Sequence, residues 1–433
     1  MRDYLLTSFV IGSLPICLFR PYYGLLLYAW LSYMYPQSMA WSLGQSLPFA
    51  KSVAIATVLG TVLNGVGDLS PLRRRETVLM ICLWSVFTFS TIFAINPNEA
   101  WPEWQDVSKL IIMALLGSTF LTDRKRMRYF LLVVAISLGF HGFKAGIFSL
   151  TTRGENMVFG PGSSILENNN NIGLALNMCL PLLWYVGREE RGYIRTILYE
   201  FFGLTIPAIM FTYSRASALT LPVVLLAIVV RGRNPLIPVA LLVFVAVLAF
   251  PFIPQKFWER QETVIDYQAD TSAMSRIDNW KFCWRVALDR PLTGAGFKFF
   301  TPEMVAVYSP EFLLTYGKTW DTHNIYFAML GSHGFPGLLL FVSMIGFSLL
   351  SCIQISRTIR DHPDLSWVRS YSRMVEVSFL ALLLNGVFVN MEYFELVYHL
   401  VAIVVCLKVI CHRVSSSSAE RVEFTKEALA VPS

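Results

Sequence analysis

Three residues carry the chemistry this sequence offers: Arg215 in FTYSRAS, Arg276 in SRIDNW and His323 in DTHN. A guanidinium is permanently charged and can grip phosphate oxygens in a bidentate fork, so arginine suits neutralising a phosphate leaving group. Histidine is the side chain whose ordinary pKa fits proton transfer near neutrality, and Asp321 is close enough in sequence to orient it. Each residue also has a plainer reading. Arg215 lies between two apolar runs, either as a functional cation at the membrane boundary or as a snorkelling arginine touching lipid headgroups. Arg276, Trp280, Cys283, Trp284 and Ala287 share one face of a helix capped by Ser275 and ended by Pro291. That helix is either a structural element of the membrane interface or one that presents its arginine there. His323 is either a base or a residue of a helix start.

Other residues qualify by location. His333 competes with His323, but Gly331, Gly334, Pro336 and Gly337 around it predict a backbone break. Broken backbone at membrane depth is tolerated where it is buried in protein or lines a cavity, so the break hints at a cavity beside His323. Glu167 to Asn171 follows Gly160-Pro161-Gly162; amides such as Asn168 and Asn169 can bind sugar hydroxyls or cap the next helix. Arg153, Lys298, Lys318 and Asp321 are further candidates, with Asn324 and Trp280 in support. Paired histidine spacing, CxxC and an outward DxD are all missing from the sequence, so neither a metal nor another cofactor is expected.

These residues need a frame that holds them at a membrane surface. Of 433 residues, 55% are hydrophobic and 15% charged, far below the roughly 25% charged of soluble domains, and the mean hydropathy is +0.53. The expected fold is an all-α polytopic membrane protein. The net charge of +6 is read by position and says nothing of nucleic acid. Six cysteines fall in or beside apolar runs and leave Cys283 alone in the long polar loop, which excludes a disulfide within it. The apolar run after Arg2 leads into Arg20-Pro21 without a small-residue cleavage site and is expected to belong to the mature protein.

Apolar spans are predicted at about 47–66, 76–95, 106–121, 128–149, 170–187, 194–213, 215–231, 235–252, 336–356, 371–390 and 393–411. A single kinked crossing through Arg20-Pro21 brings the total to about twelve; counting 4–19 and 22–35 separately would put Met1 outside. Basic clusters at Arg73 to Arg75, Arg124 to Arg128, Arg188 to Arg195, Arg231 to Arg233, Arg357 to Arg373 and Lys408 to Arg413 mark cytoplasmic loops. Outside lie Asn96 to Asp106, Thr151 to Asn169, the turn before Arg215 and the long aromatic-rich loop. The expected organisation is spans over 1–252, a periplasmic catalytic loop with amphipathic helices over 253–335, spans over 336–411 and a disordered cytoplasmic tail over 412–433.

In order, SRAS, then SRIDNWKFCWRVALDRPLTGAGFKFF, then THNIYFAMLGSHGFPG resemble the O-antigen ligase (WaaL-type) family pattern. The likeness covers about the C-terminal half, and the chain is also similar to ligases encoded beside exosortase-type exopolysaccharide systems. The resemblance implies a metal-independent, inverting glycosyltransferase of the bacterial inner membrane. It would move a polysaccharide from undecaprenyl diphosphate to a lipid A–core sugar on the periplasmic side, in lipopolysaccharide biosynthesis. Carried onto this chain, His323 would deprotonate the acceptor hydroxyl while Arg215 and Arg276 hold the diphosphate. His333 departs from a position that is often acidic in the family, which leaves it a supporting place. An O-antigen polymerase or protein O-oligosaccharyltransferase would share the donor and differ in acceptor. A lipid-linked glycan flippase would instead spread ionisable residues through its spans and show a repeat.

Overall fold

Long apolar runs can satisfy their backbone in lipid only by coiling into helices. The computed structural model describes residues 2–40, 47–231, 271–316, 321–360 and 362–429. In chain order its α-helices are α1 (Arg2–Phe19), α2 (Pro21–Met34), α3 (Phe49–Asn64), α4 (Arg75–Ile92), α5 (Pro97–Phe120), α6 (Arg124–Thr151), α7 (Asn169–Glu189) and α8 (Gly192–Met210). They continue with α9 (Arg215–Val230), α10 (Thr271–Asp289), α11 (Pro302–Tyr308), α12 (Pro310–Tyr316), α13 (Ile325–Thr358), α14 (Ser366–Asn385) and α15 (Glu395–Leu429). The described residues contain no strand, and the chain is an all-α membrane protein. Among them, five helices are long and apolar enough to cross a membrane: α1, α4, α6, α13 and the part of α15 up to Val414. The expected span at 235–252 and the candidate Lys318 lie outside the described residues.

Helix α7 is the hub. From Ile172 to Gly187 it is buried nearly throughout, and it packs against α6, α8, α9 and α14. The basic clusters meet at one end of the bundle. Arg128 donates to both oxygens of Glu190 at 2.5 Å, Arg231 pairs with Glu376 at 3.2 Å, and Lys408 pairs with the fully buried Glu76 at 2.8 Å. The loops bearing Arg153, Arg215, His323 and Glu392 gather at the other end, which is the separation the charge pattern predicts.

The N-terminal stretch departs from the expected single kinked crossing. Phe9 meets Trp30 with ring centroids 5.8 Å apart, and a Cβ added to Gly24 would lie 3.1 Å from the Cβ of Cys17. So α1 and α2 fold back on each other as a hairpin. Pro21 at the first position of α2 stops the backbone ladder from running through, and Arg20 sits between them in a non-helical conformation. The corner is tied to the basic end, because Asn64 donates to Leu18 O at 2.8 Å and Tyr22 OH to Arg126 O at 2.9 Å. The start of α1 therefore points toward the other end, as in the alternative that counts two segments.

Three boundaries also differ. Asn96 to Asp106 is mostly helical, since α5 begins at Pro97, where a proline costs no hydrogen bond. The backbone of α15 stays helical to Leu429 where a disordered tail was expected, in a stretch rich in Ala, Glu, Arg and Lys. The helix after the long loop begins at Ile325 rather than 336 and bends at Gly334, whose φ of 66° and ψ of −167° are non-helical. The break frees backbone groups that the preceding loop takes up. Ala295 N donates to Gly331 O, Gly296 N to Ser332 O, and Phe335 N to Pro291 O, each at 2.9 Å. In the loop itself α10, α11 and α12 enclose a small core of their own around Phe282, Val286, Phe299 and Phe312.

Candidate functional site

The SRAS segment builds a helix start. Ser214 caps α9, accepting from Ser217 N at 3.4 Å, and Arg215 is the first helical residue. The preceding turn is pinned by Tyr213 OH to Gly154 O and by Asn169 Nδ2 to Thr212 O at 2.9 Å, with Tyr213 at a left-handed φ of 54°. Ser217 anchors α9 in the bundle: its Oγ accepts from Asn385 Nδ2 at 3.0 Å and its carbonyl from Asn177 Nδ2 at 3.2 Å. Both serine hydroxyls are thus engaged within the fold, and Arg215, half-buried, stands at the first turn of α9.

Helix α10 clamps the segment that carries His323. Asn279 Nδ2 donates to Asp321 O at 3.0 Å, Trp280 Nε1 to Thr322 O at 3.2 Å, and the Cys283 thiol lies 3.9 Å from Thr322 Oγ1. Trp280 also stacks on Phe327 at 5.5 Å. Arg276 is one turn earlier on this same face, toward His323. On the far side, Asn324 caps α13 by accepting from Tyr326 N at 2.8 Å and Phe327 N at 3.0 Å, and donates to Val387 O at 2.9 Å. His323 is fixed between two anchored neighbours at a φ of 48°, a left-handed conformation few non-glycine residues adopt.

The surroundings set its charge. Burial pushes the His323 pKa below the ordinary histidine value, the Arg276 guanidinium lowers it further, and Asp321 opposes both. The imidazole is therefore neutral near pH 7 and free to accept a proton. The Asp321 carboxylate is engaged elsewhere, with Thr322 N at 2.8 Å and the Asn390 amide. Arg215 belongs to the same end: Asn385, which holds Ser217, is followed by Gly386, whose carbonyl accepts from Ile325 N at 2.8 Å. Consecutive residues at the end of α14 thus tie the arginine's helix to the helix behind the histidine.

The remaining candidates divide. His333 is fully buried inside the bundle, 2.5 Å from Ser90 Oγ and 2.7 Å from Tyr393 OH, between Phe87 and Phe297. Asn168 caps α7, accepting from Asn170 N at 2.8 Å. Arg153 is exposed at a φ of 50°, and Lys298, at 52°, pairs with Glu103 at 3.3 Å.

A cavity of about 760 Å³ opens beside the His323 segment, lined by Asn168, Lys298, Asp321, Thr322, Glu392 and Tyr393 among others. Arg215, Arg276 and His323 are not among the described residues of its wall. Sequence reasoning passed over Glu392, although a carboxylate between the expected spans 371–390 and 393–411 was a signal of the same kind as Arg215.

Comparison with known proteins gives two family matches. Residues 201–342 match a family described as O-antigen ligase, a stretch that contains Arg215, Arg276 and His323. Residues 1–189 match a family of unknown function, DUF5935. No curated protein matches the chain.

Proposed function

We propose that this chain, a member of the O-antigen ligase superfamily through residues 201–342, is an O-antigen ligase. In this reading it transfers a polysaccharide from undecaprenyl diphosphate to a lipid A–core sugar at the periplasmic face of the inner membrane. The observation that carries it is a partly buried imidazole held by the α10 clamp, kept neutral by its burial and, next, by the Arg276 guanidinium of the same helix.

The chemistry follows from the two groups. His323 takes the proton from the acceptor hydroxyl as its oxygen attacks the anomeric carbon of the donor sugar. The bond from that carbon to the diphosphate breaks on the opposite face, so the configuration inverts. The electron pair leaves with the lipid diphosphate, whose charge Arg276 and Arg215 offset. A lipid-linked donor brings its diphosphate to headgroup depth. The outer-end turn bearing Arg215 and the interfacial helix α10 suit that depth, opposite the basic clusters.

The test is reconstitution of the full chain with undecaprenyl diphosphate-linked polysaccharide and lipid A–core. Polysaccharide attached to lipid A–core, lost in His323→Ala, is the expected product. Longer free polymer with the acceptor untouched would indicate a polymerase, and a protein product a protein glycosyltransferase. Movement of donor across vesicle membranes without any transfer would overturn the enzymatic reading altogether.

A further inference from the structure

The cavity beside the His323 segment holds a group that neither the sequence motifs nor the fold uses. Glu392 lies in the turn between α14 and α15, is 7% exposed, and lines the cavity wall. Its Oε2 is buried with no hydrogen-bond partner among the described residues. Buried polar groups are ordinarily paired, so a carboxyl left incomplete on a residue of the cavity wall is one that a ligand hydroxyl can complete. Burial, with Asp321 and Glu103 adding to it, pushes the carboxyl up to about 8, so near neutrality it can donate as well as accept.

The other walls match one ligand chemistry. The half-buried Phe300 and the edges of the packed Phe297 and Phe299 give an apolar wall, and Asn168 and Asn171, each with one amide atom used in the fold, add polar groups. Aromatic faces with a few convergent polar groups suit a sugar ring, whose C–H face stacks while its hydroxyls bond to amide and carboxyl. The cavity wall includes Asp321 and Thr322, immediately before His323, and lacks Arg215 and Arg276 among its described residues. With a donor diphosphate held by those arginines, the cavity is left to the incoming acceptor.

We propose that the cavity is the subsite for a sugar unit of the acceptor and that Glu392 binds and orients its hydroxyls; this rests on the glycan-transfer reading of His323. The test measures binding of deacylated lipopolysaccharide core oligosaccharide to the full chain in detergent by calorimetry. Wild type is expected to bind it, Glu392→Leu about tenfold more weakly, and Glu392→Gln close to wild type, because the amide keeps an acceptor and a donor. Binding of undecaprenyl diphosphate-linked polysaccharide is expected to be unchanged in Glu392→Leu. Phe300→Ala, on another wall, is expected to weaken oligosaccharide binding too, and it decides the matter if the leucine variant does not purify folded.

Equal oligosaccharide binding by Glu392→Leu and wild type, or none by wild type, overturns the subsite. Weakened donor binding instead assigns the cavity to the donor glycan and overturns the acceptor assignment. Wild-type transfer activity, measured separately, keeps the two ideas apart. Oligosaccharide binding without transfer sinks the ligase reading and leaves the subsite, whereas transfer with an unchanged acceptor KM in Glu392→Leu does the reverse.

Discussion

Asn324 joins His323 to the bundle, and its removal has consequences that can be worked out in advance. Its Oδ1 caps two amides of the first turn of α13, Tyr326 N and Phe327 N, which otherwise have no partner within the helix. Its Nδ2 reaches Val387 O, and the side chain is buried. In Asn324→Ala the lost cap costs about 1 kcal/mol and the lost bond to Val387 O about 1 kcal/mol more. A loss of about 2 kcal/mol is about a 30-fold rise in local opening of that turn. Hydrogen exchange at the Tyr326 and Phe327 amides should therefore speed up by that order, while amides in the middle of α7 stay protected. Asn324→Asp keeps the capping oxygen and loses only the donor, so its amides should exchange about fivefold faster. Glycan transfer should fall further in the alanine variant than its folded fraction does, because His323 loses its anchor on one side. Unchanged exchange at both amides in Asn324→Ala, or full transfer activity, would show that this cap does not hold the histidine.

Three other outcomes follow from the same geometry. His323→Ala should abolish transfer by at least about 100-fold, the low end of what a general base supplies, with the protein still monodisperse in detergent. Arg276→Ala should move the acid limb of the pH–rate profile upward. The guanidinium lowers the His323 pKa, a base works only above its pKa, and removing the cation raises that threshold; an unmoved limb would refute the pairing. At the opposite end, Lys408→Met leaves Glu76 buried with Ser351 and Arg75 as its remaining side-chain partners among the described residues and should cost about 3–5 kcal/mol of stability. Transfer per folded molecule should not change in that variant, which thermal unfolding and a single-point assay can check together.

Much of this site was legible because its residue types have local consequences. Ser214 before Arg215 is an N-cap residue and begins a helix where the apolar pattern has it. Asn324 instead caps a helix that the pattern starts only at 336, and Ser275, the expected cap of α10, lies within α10. Gly334 with Pro336 announced a break, and the backbone turns at Gly334. The basic clusters foretold which ends of the helices lie together. What stayed hidden depends on contacts distant in sequence. The hairpin of α1 and α2 is decided by Phe9 against Trp30 and by the closeness of Gly24 to Cys17, which an apolar run interrupted by Arg20-Pro21 does not specify. Glu392 gains its character from a cavity assembled by segments more than a hundred residues apart, so its pattern in NMEYFEL says little by itself.

The DRPLTGAG run shows how a motif can serve the site without touching a substrate. Its glycines look suited to cradling phosphate, yet Gly294, at a φ of 59°, has its Cβ position 2.5 Å from the Ser332 carbonyl carbon and 2.6 Å from His333 N. Only a residue without a side chain fits there, and the run is spent filling the break in α13. That wedge fixes α13 from the loop side, and Asn324 fixes it from the end of α14. Helix α10, leading directly into the wedge, then has a set distance to the start of α13, and its clamp on Asp321 and Thr322 falls into register. The break in the helix is thus what lets one loop hold both Arg276 and His323 against the bundle. A helix running unbroken through Gly334 would leave the loop's amides at 295 and 296 without acceptors, and Arg276 without a fixed relation to His323.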